Sequence, residues 1–218
     1  MKKIIFWGDG ILAGPSGFAE LLSNHIFLHH PRADVSTSLY GGETAVWQDA
    51  AKDTPLHVIG KAPELVVLGF GYTDLTAGKS PEEIAQAAHG VVTLMLQKTQ
   101  ARICLLSVVS SFFSEAADRE RCHALNRRLR DLAGPRVQPV DLEGRVEWFL
   151  AEHTQGPGEK HSLHLDRNRL TPLGRLFMAH HAFHLITWPV AATGSPAGES
   201  GSRAEGAGAP DLRPPVPF

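Results

Sequence analysis

The 218-residue sequence predicts an α/β protein, a three-layer α/β/α sandwich built around a five-stranded parallel sheet. Three observations carry this. Short apolar runs alternate with amphipathic stretches, the pattern of successive β-α-β units. The runs are continuously apolar, which suits parallel strands covered on both faces. A hydrophobic content of 43% in a chain of this length is enough for one domain with a sizeable core.

The strands are predicted at residues 3–7, 34–39, 65–70, 103–109 and 137–140. Helices are predicted near residues 17–30, 44–59, 81–98 and 115–132, with two more near 144–153 and 172–186 after the last strand. The best-marked helix start is Ser80-Pro81-Glu82-Glu83. Ser80 can cap, Pro81 suits the first helical position, and Glu83 can close a capping box. Right-handed crossovers between parallel strands place helices on both faces of the sheet.

Composition excludes several classes. A net charge of -2 offers no electrostatic attraction for nucleic acid or an anionic membrane. The two cysteines, Cys104 and Cys122, make no disulfide framework, and Cys104 lies inside an apolar run as a small core residue. No apolar stretch reaches the roughly 18–20 residues of a membrane span. The run after Met1-Lys2-Lys3 ends at Gly8-Asp9, short of the roughly 7–15 residues of a signal-peptide core, so the expected location is cytoplasmic.

Residues 1–188 form the expected domain. From residue 189 the chain is rich in Gly, Ala, Pro and Ser, and residues 189–218 are expected to be a disordered tail. Its end, Leu212-Arg213-Pro214-Pro215-Val216-Pro217-Phe218, reads either as a solvated tail or as a polyproline-type peptide for a protein partner.

Four motifs sit where strands hand over to loops, the edge at which open α/β sheets bind ligands. They are Gly8-Asp9-Gly10, Gly41-Gly42-Glu43-Thr44, Gly71-Tyr72-Thr73-Asp74, and Asp166-Arg167-Asn168-Arg169 running into Leu170-Thr171-Pro172-Leu173-Gly174. Gly8, Gly10 and Gly14 also make a G-x-G-x-x-x-G pattern, one residue off the dinucleotide fingerprint and therefore weak. Taken singly, the glycines need signify no more than tight turns.

Together, in this order and spacing, the motifs resemble the SGNH (GDSL-type) hydrolase superfamily. The resemblance covers about residues 3–186 and implies that family's flavodoxin-like sandwich, with sheet order 2-1-3-4-5. The family pattern is Gly-Asp-Ser, an oxyanion glycine, Gly-x-Asn-Asp, and Asp-x-x-His. In this sequence Gly10 stands at the nucleophile position, Thr73 at the asparagine and Arg169 at the general base, while Asp166 is retained. Gly42 maps onto the oxyanion glycine, with Gly41 as the competing choice. Asp74 matches the family and is expected to brace its turn.

No catalytic set is therefore intact across the triad-equivalent positions Gly10, Asp166 and Arg169. A guanidinium is always protonated and cannot act as a base. Ser16, Ser107, Ser110 and Ser111 are the alternative serines, and none lies in a Gly-x-Ser-x-Gly elbow. His161 and His164, the latter on an irregular segment, are the alternative bases. His180 and His184 have a metal-ligand spacing but lack an H-E-x-x-H glutamate, so they and His181 read as surface or interface residues. No metal and no cofactor are predicted.

The resemblance implies a hydrolase frame without its chemistry. Gly10, Gly42, Thr73 and Arg169 would instead bind a small anionic metabolite. Two alternatives stay open: an active esterase with relocated groups, and a protein-interaction scaffold using the tail.

Overall fold

In a computed structural model the five longer strands form one parallel sheet of order β2-β1-β3-β4-β5. The structure describes residues 2–9, 18–39, 53–54, 56–153, 163–166 and 169–186. The strands are β1 (Lys2–Gly8), β2 (Ala33–Leu39), β3 (Leu65–Gly69), β4 (Arg102–Leu106) and β5 (Val137–Val140). All four pairings are parallel, as in Ile5↔Val66 and Val67↔Cys104.

The central strands are apolar along their length because both faces are covered. Ile4, Ile5, Phe6, Trp7, Leu65, Val66, Val67, Leu68, Ile103 and Cys104 are buried. The expectation of continuously apolar strands fails at the two edges. Strand β2 carries Asp34, Ser36 and Ser38, and β5 carries Gln138 and Pro139. An edge strand has one unpaired side, so it tolerates polar residues and a proline that cannot donate to a ladder.

The described helices are α1 (Phe18–His29), α2 (Tyr72–Thr76), α3 (Pro81–Lys98), α4 (Ala116–Arg130), α5 (Leu142–His153) and α6 (Pro172–Leu185). Helices α1 and α6 pack together, as do α3 and α4. With β1 central and right-handed crossovers, the connection to β2 and the connections toward β5 fall on opposite faces, which makes the three layers. None of the described helices is long and apolar enough to cross a membrane.

Local chemistry explains the element ends. Helix α3 starts on the expected capping box: the Glu83 N–H donates to Ser80 Oγ at 3.2 Å, and the Ser80 N–H donates to Glu83 Oε2 at 2.9 Å. Strand β4 stops at Leu106, three residues before the predicted end. There the N–H and C=O of Val108 leave the sheet to bond the Asn126 side chain at 2.9 and 2.7 Å. Helix α5 starts two residues before the prediction. Asp141 Oδ1 accepts the Gly144 N–H at 3.0 Å, and Ser107 Oγ accepts the Glu143 N–H at 2.8 Å.

Most of the helix predicted at 44–59 lies outside the described residues. Residues 53–54 and 56–57 are helical, and Ile59–Lys61 is a short 3-10 turn. The tail at 189–218 lies outside them too.

Candidate functional site

The carboxyl ends of β1 and β3 meet at the candidate site. The Asp9 N–H donates to the Gly69 carbonyl at 2.9 Å, carrying the β1–β3 pairing one residue past the strand. Asp9 is thereby held 98% buried, and its Oδ2 accepts the backbone N–H of Thr73 at 3.2 Å. This bond joins the first and third motifs in space.

Glycine at position 71 makes that approach possible. Its φ of 119° lies in the left-handed region, where a Cβ is disfavoured, and it turns the chain from β3 into α2. Thr73 then sits buried on the first turn of α2 with its N–H aimed at Asp9. Asp74, also buried, receives Lys79 Nζ at 2.8 Å, so this carboxylate braces the loop that follows α2. The Tyr72 ring packs against Phe112 and Phe113, fixing α2 to the turn after β4.

Beside Asp9 lies a small pocket with about 360 Å³ of open space including its mouth. Phe70, Tyr72, Val108, Phe112, Leu142 and Met178 supply most of its wall, with Asp9 and Ser107 as polar members. Ser107 is occupied at the start of α5, where its Oγ accepts the Glu143 N–H. Ser110 is buried and donates its N–H to Glu143 Oε1 at 3.2 Å.

The fourth motif folds into a small antiparallel hairpin of β6 (His164–Asp166) and β7 (Arg169–Leu170). Asp166 and Arg169 are register partners across it, and His164 faces Leu170 in the same ladder. This corrects the irregular segment expected around His164. The hairpin is short because the chain enters α6 directly: the Thr171 N–H donates to the Leu163 carbonyl at 2.9 Å, and Thr171 Oγ1 caps the Gly174 N–H at 3.0 Å.

Of the four predicted ligand residues, Thr73 is placed with its side chain and Arg169 through its backbone. Gly10 and Gly42 lie outside the described residues, as do Gly41, Ser16 and His161. His180 and His184 lie on the exposed face of α6 with ring centroids 4.5 Å apart, and His25 of α1 is 6.2 Å from His180. Burial, then the neighbouring His184 and His25, holds His180 below its ordinary pKa. The buried Cys104 thiol is pushed up to about 12, chiefly by burial, as befits an unreactive core residue.

Sequence reasoning missed two polar assemblies. One is the tether from Asp9 to Thr73, a contact across 64 residues that no local pattern signals. The other is a buried network in which Asn126 Nδ2 donates to both Val108 and Glu143. No local pattern signals this network either, since Asn126 lies 18 residues from Val108 and 17 from Glu143.

No protein-family model matches the sequence, and no curated protein does. Solved structures do match. An acetyl xylan esterase, AlAXEase, is 18% identical with a TM-score of 0.68, covering 85% of this chain and 100% of its own. LAE5, an alpha/beta hydrolase enzyme from the metagenome of Lake Arreo, Spain, is 20% identical with a TM-score of 0.72, covering 84% and 94%. TesA is 16% identical with a TM-score of 0.64, covering 84% and 97%. At these identities the likeness is one of fold, and the fold of this chain is that of the SGNH-type hydrolases.

Proposed function

On that SGNH-hydrolase fold, we propose a protein that has lost ester hydrolysis and binds a small anion where an oxyanion once formed. The observation that carries the reading is the pair of replacements at the reacting positions, Gly10 for the serine and Arg169 for the histidine. Losing either group of a serine-hydrolase triad can cost on the order of a million-fold in turnover. What remains, oxyanion stabilisation and binding, is worth roughly a thousand-fold over water.

The donors that remain suit a stable anion. Gly10 and Gly42 contribute backbone N–H groups, Thr73 a hydroxyl, and Arg169 a permanent cation able to make paired bonds to carboxylate, phosphate or sulfate. The Asp9 carboxylate, which accepts the Thr73 N–H, opposes an anion bound beside Thr73, which makes the Arg169 charge the deciding contribution in this proposal. The working unit in this proposal is residues 1–188, acting in the cytoplasm.

Two measurements test it. Thermal shift with acetate, phosphate and sulfate should show saturable stabilisation that Arg169→Ala removes. An unchanged shift in that variant would mean Asp166 already neutralises the guanidinium, and the anion site would be abandoned. Hydrolysis of a short-chain aryl ester should be absent in the native chain and appear in the Gly10→Ser, Arg169→His double variant. Native turnover abolished by a serine-directed phosphonate would instead identify an active esterase.

A further inference from the structure

On the side of the molecule formed by α4 and α5, three metal-ligating side chains converge outside the site described above. His123 projects from α4, and Glu143 and Glu147 from successive turns of α5. His123 Nδ1 lies 3.2 Å from Glu143 Oε1 and 4.0 Å from Glu147 Oε1, and one ligand atom from each residue falls within 4.8 Å of the others. We propose that His123, Glu143 and Glu147 form a binding site for a divalent first-row transition cation of the Zn²⁺ type, which joins α4 to α5. The sequence reading named no metal site.

The geometry suits such an ion. Bonds of about 2.0–2.2 Å to nitrogen and carboxylate oxygen place ligand atoms roughly 3–3.5 Å apart. The pair His123–Glu143 already has that separation, and Glu147 needs only to swing inward. Its side chain is 53% exposed and has room to do so. An imidazole with two carboxylates favours zinc-like ions over calcium or magnesium, which prefer all-oxygen shells.

The groups behind the ligands are also set. Glu143 is 94% buried in its side chain, and its orientation is dictated from outside the cluster. Oε1 receives the Ser110 N–H at 3.2 Å, Oε2 receives Asn126 Nδ2, and Asn126 is itself held by both backbone groups of Val108. A carboxylate has about four lone-pair sites. Glu143 therefore keeps capacity for a cation that His123 Nδ1 binds through its ring lone pair. Such outer partners fix ligand direction in metal sites.

The cluster opens onto a pocket with about 420 Å³ of open space, room for the waters that complete the coordination. Arg127 and Arg130 line that pocket and oppose a cation, but Asp141, Glu143 and Glu147 set three carboxylates against those two guanidinium groups.

The test uses the full chain and Zn²⁺ alone, followed by calorimetry and by intrinsic tryptophan fluorescence, to which Trp148 beside Glu147 contributes. His123→Ala and Glu147→Gln each remove one ligand and leave Glu143 on its Ser110 and Asn126 partners. A His180→Ala, His184→Ala variant controls for the other histidine pair, and circular dichroism of each metal-free variant confirms folding. The expected result is one equivalent bound, with affinity falling roughly 10–100-fold in each ligand variant and holding in the control. Absence of saturable binding, native affinity in either ligand variant, or loss in the control would each overturn the site.

Discussion

The Asp9 carboxylate accepts the Thr73 N–H at 3.2 Å, so the loop after β1 and the start of α2 are held together at the carboxyl edge of the sheet. Both residues are buried, and water cannot replace the bond if one side is removed. Asp9→Ala leaves the Thr73 N–H without this acceptor and should cost about 1–3 kcal/mol. For a chain of this size that lowers the thermal midpoint by about 2–4 °C per kcal/mol. Calorimetric melting of the variant beside the native protein checks this, and an unchanged midpoint would show that the tether contributes nothing to stability.

Glycine at 174 is required by packing. A Cβ built there would lie 2.1 Å from the carbonyl oxygen of Leu163, a backbone atom that also receives the Thr171 N–H. Neither side can yield without unseating the start of α6. Gly174→Ala should therefore destabilise by about 1–3 kcal/mol, as overpacked sites do, despite alanine's better helix propensity. Gly90, inside α3 with nothing near its missing Cβ, is the internal control. There the alanine substitution should stabilise by about 0.5–1 kcal/mol, and urea midpoints for the two variants should move in opposite directions.

Histidine 181 introduces a pH dependence. Burial against the α6 neighbourhood, then His180, Arg145 and His184, lowers its pKa to about 4, from an ordinary value near 6.5. Between those values the unfolded chain binds more protons at this site than the folded one, so the stabilising contribution is complete above pH 6.5 and is lost as pH falls toward 4. His181→Gln should flatten that fall. Denaturant midpoints at pH 7.5, 5.5 and 4.5 test it, and parallel curves for the two proteins would show that His181 titrates normally.

Most of the architecture was legible in the chain before folding, because the features that mark it are local. Apolar runs marked the central strands β1, β3 and β4, the Ser80-Pro81-Glu82-Glu83 box marked the start of α3, and Pro172 marked the start of α6. The replacements at Gly10 and Arg169 are likewise visible in the chain alone. Tertiary structure decided what depends on partners distant in sequence. The β6–β7 hairpin is too short to show a period of two, and its existence rests on the seating of α6 against Leu163. The early end of β4 follows from Asn126, and the polar character of β2 and β5 from their places at the sheet edges. Asp9 with Thr73, and His123 with Glu143 and Glu147, meet only because the folded sheet and helices bring them there. Periodicity reports which face of an element is buried. It carries no information about which polar atoms share that burial.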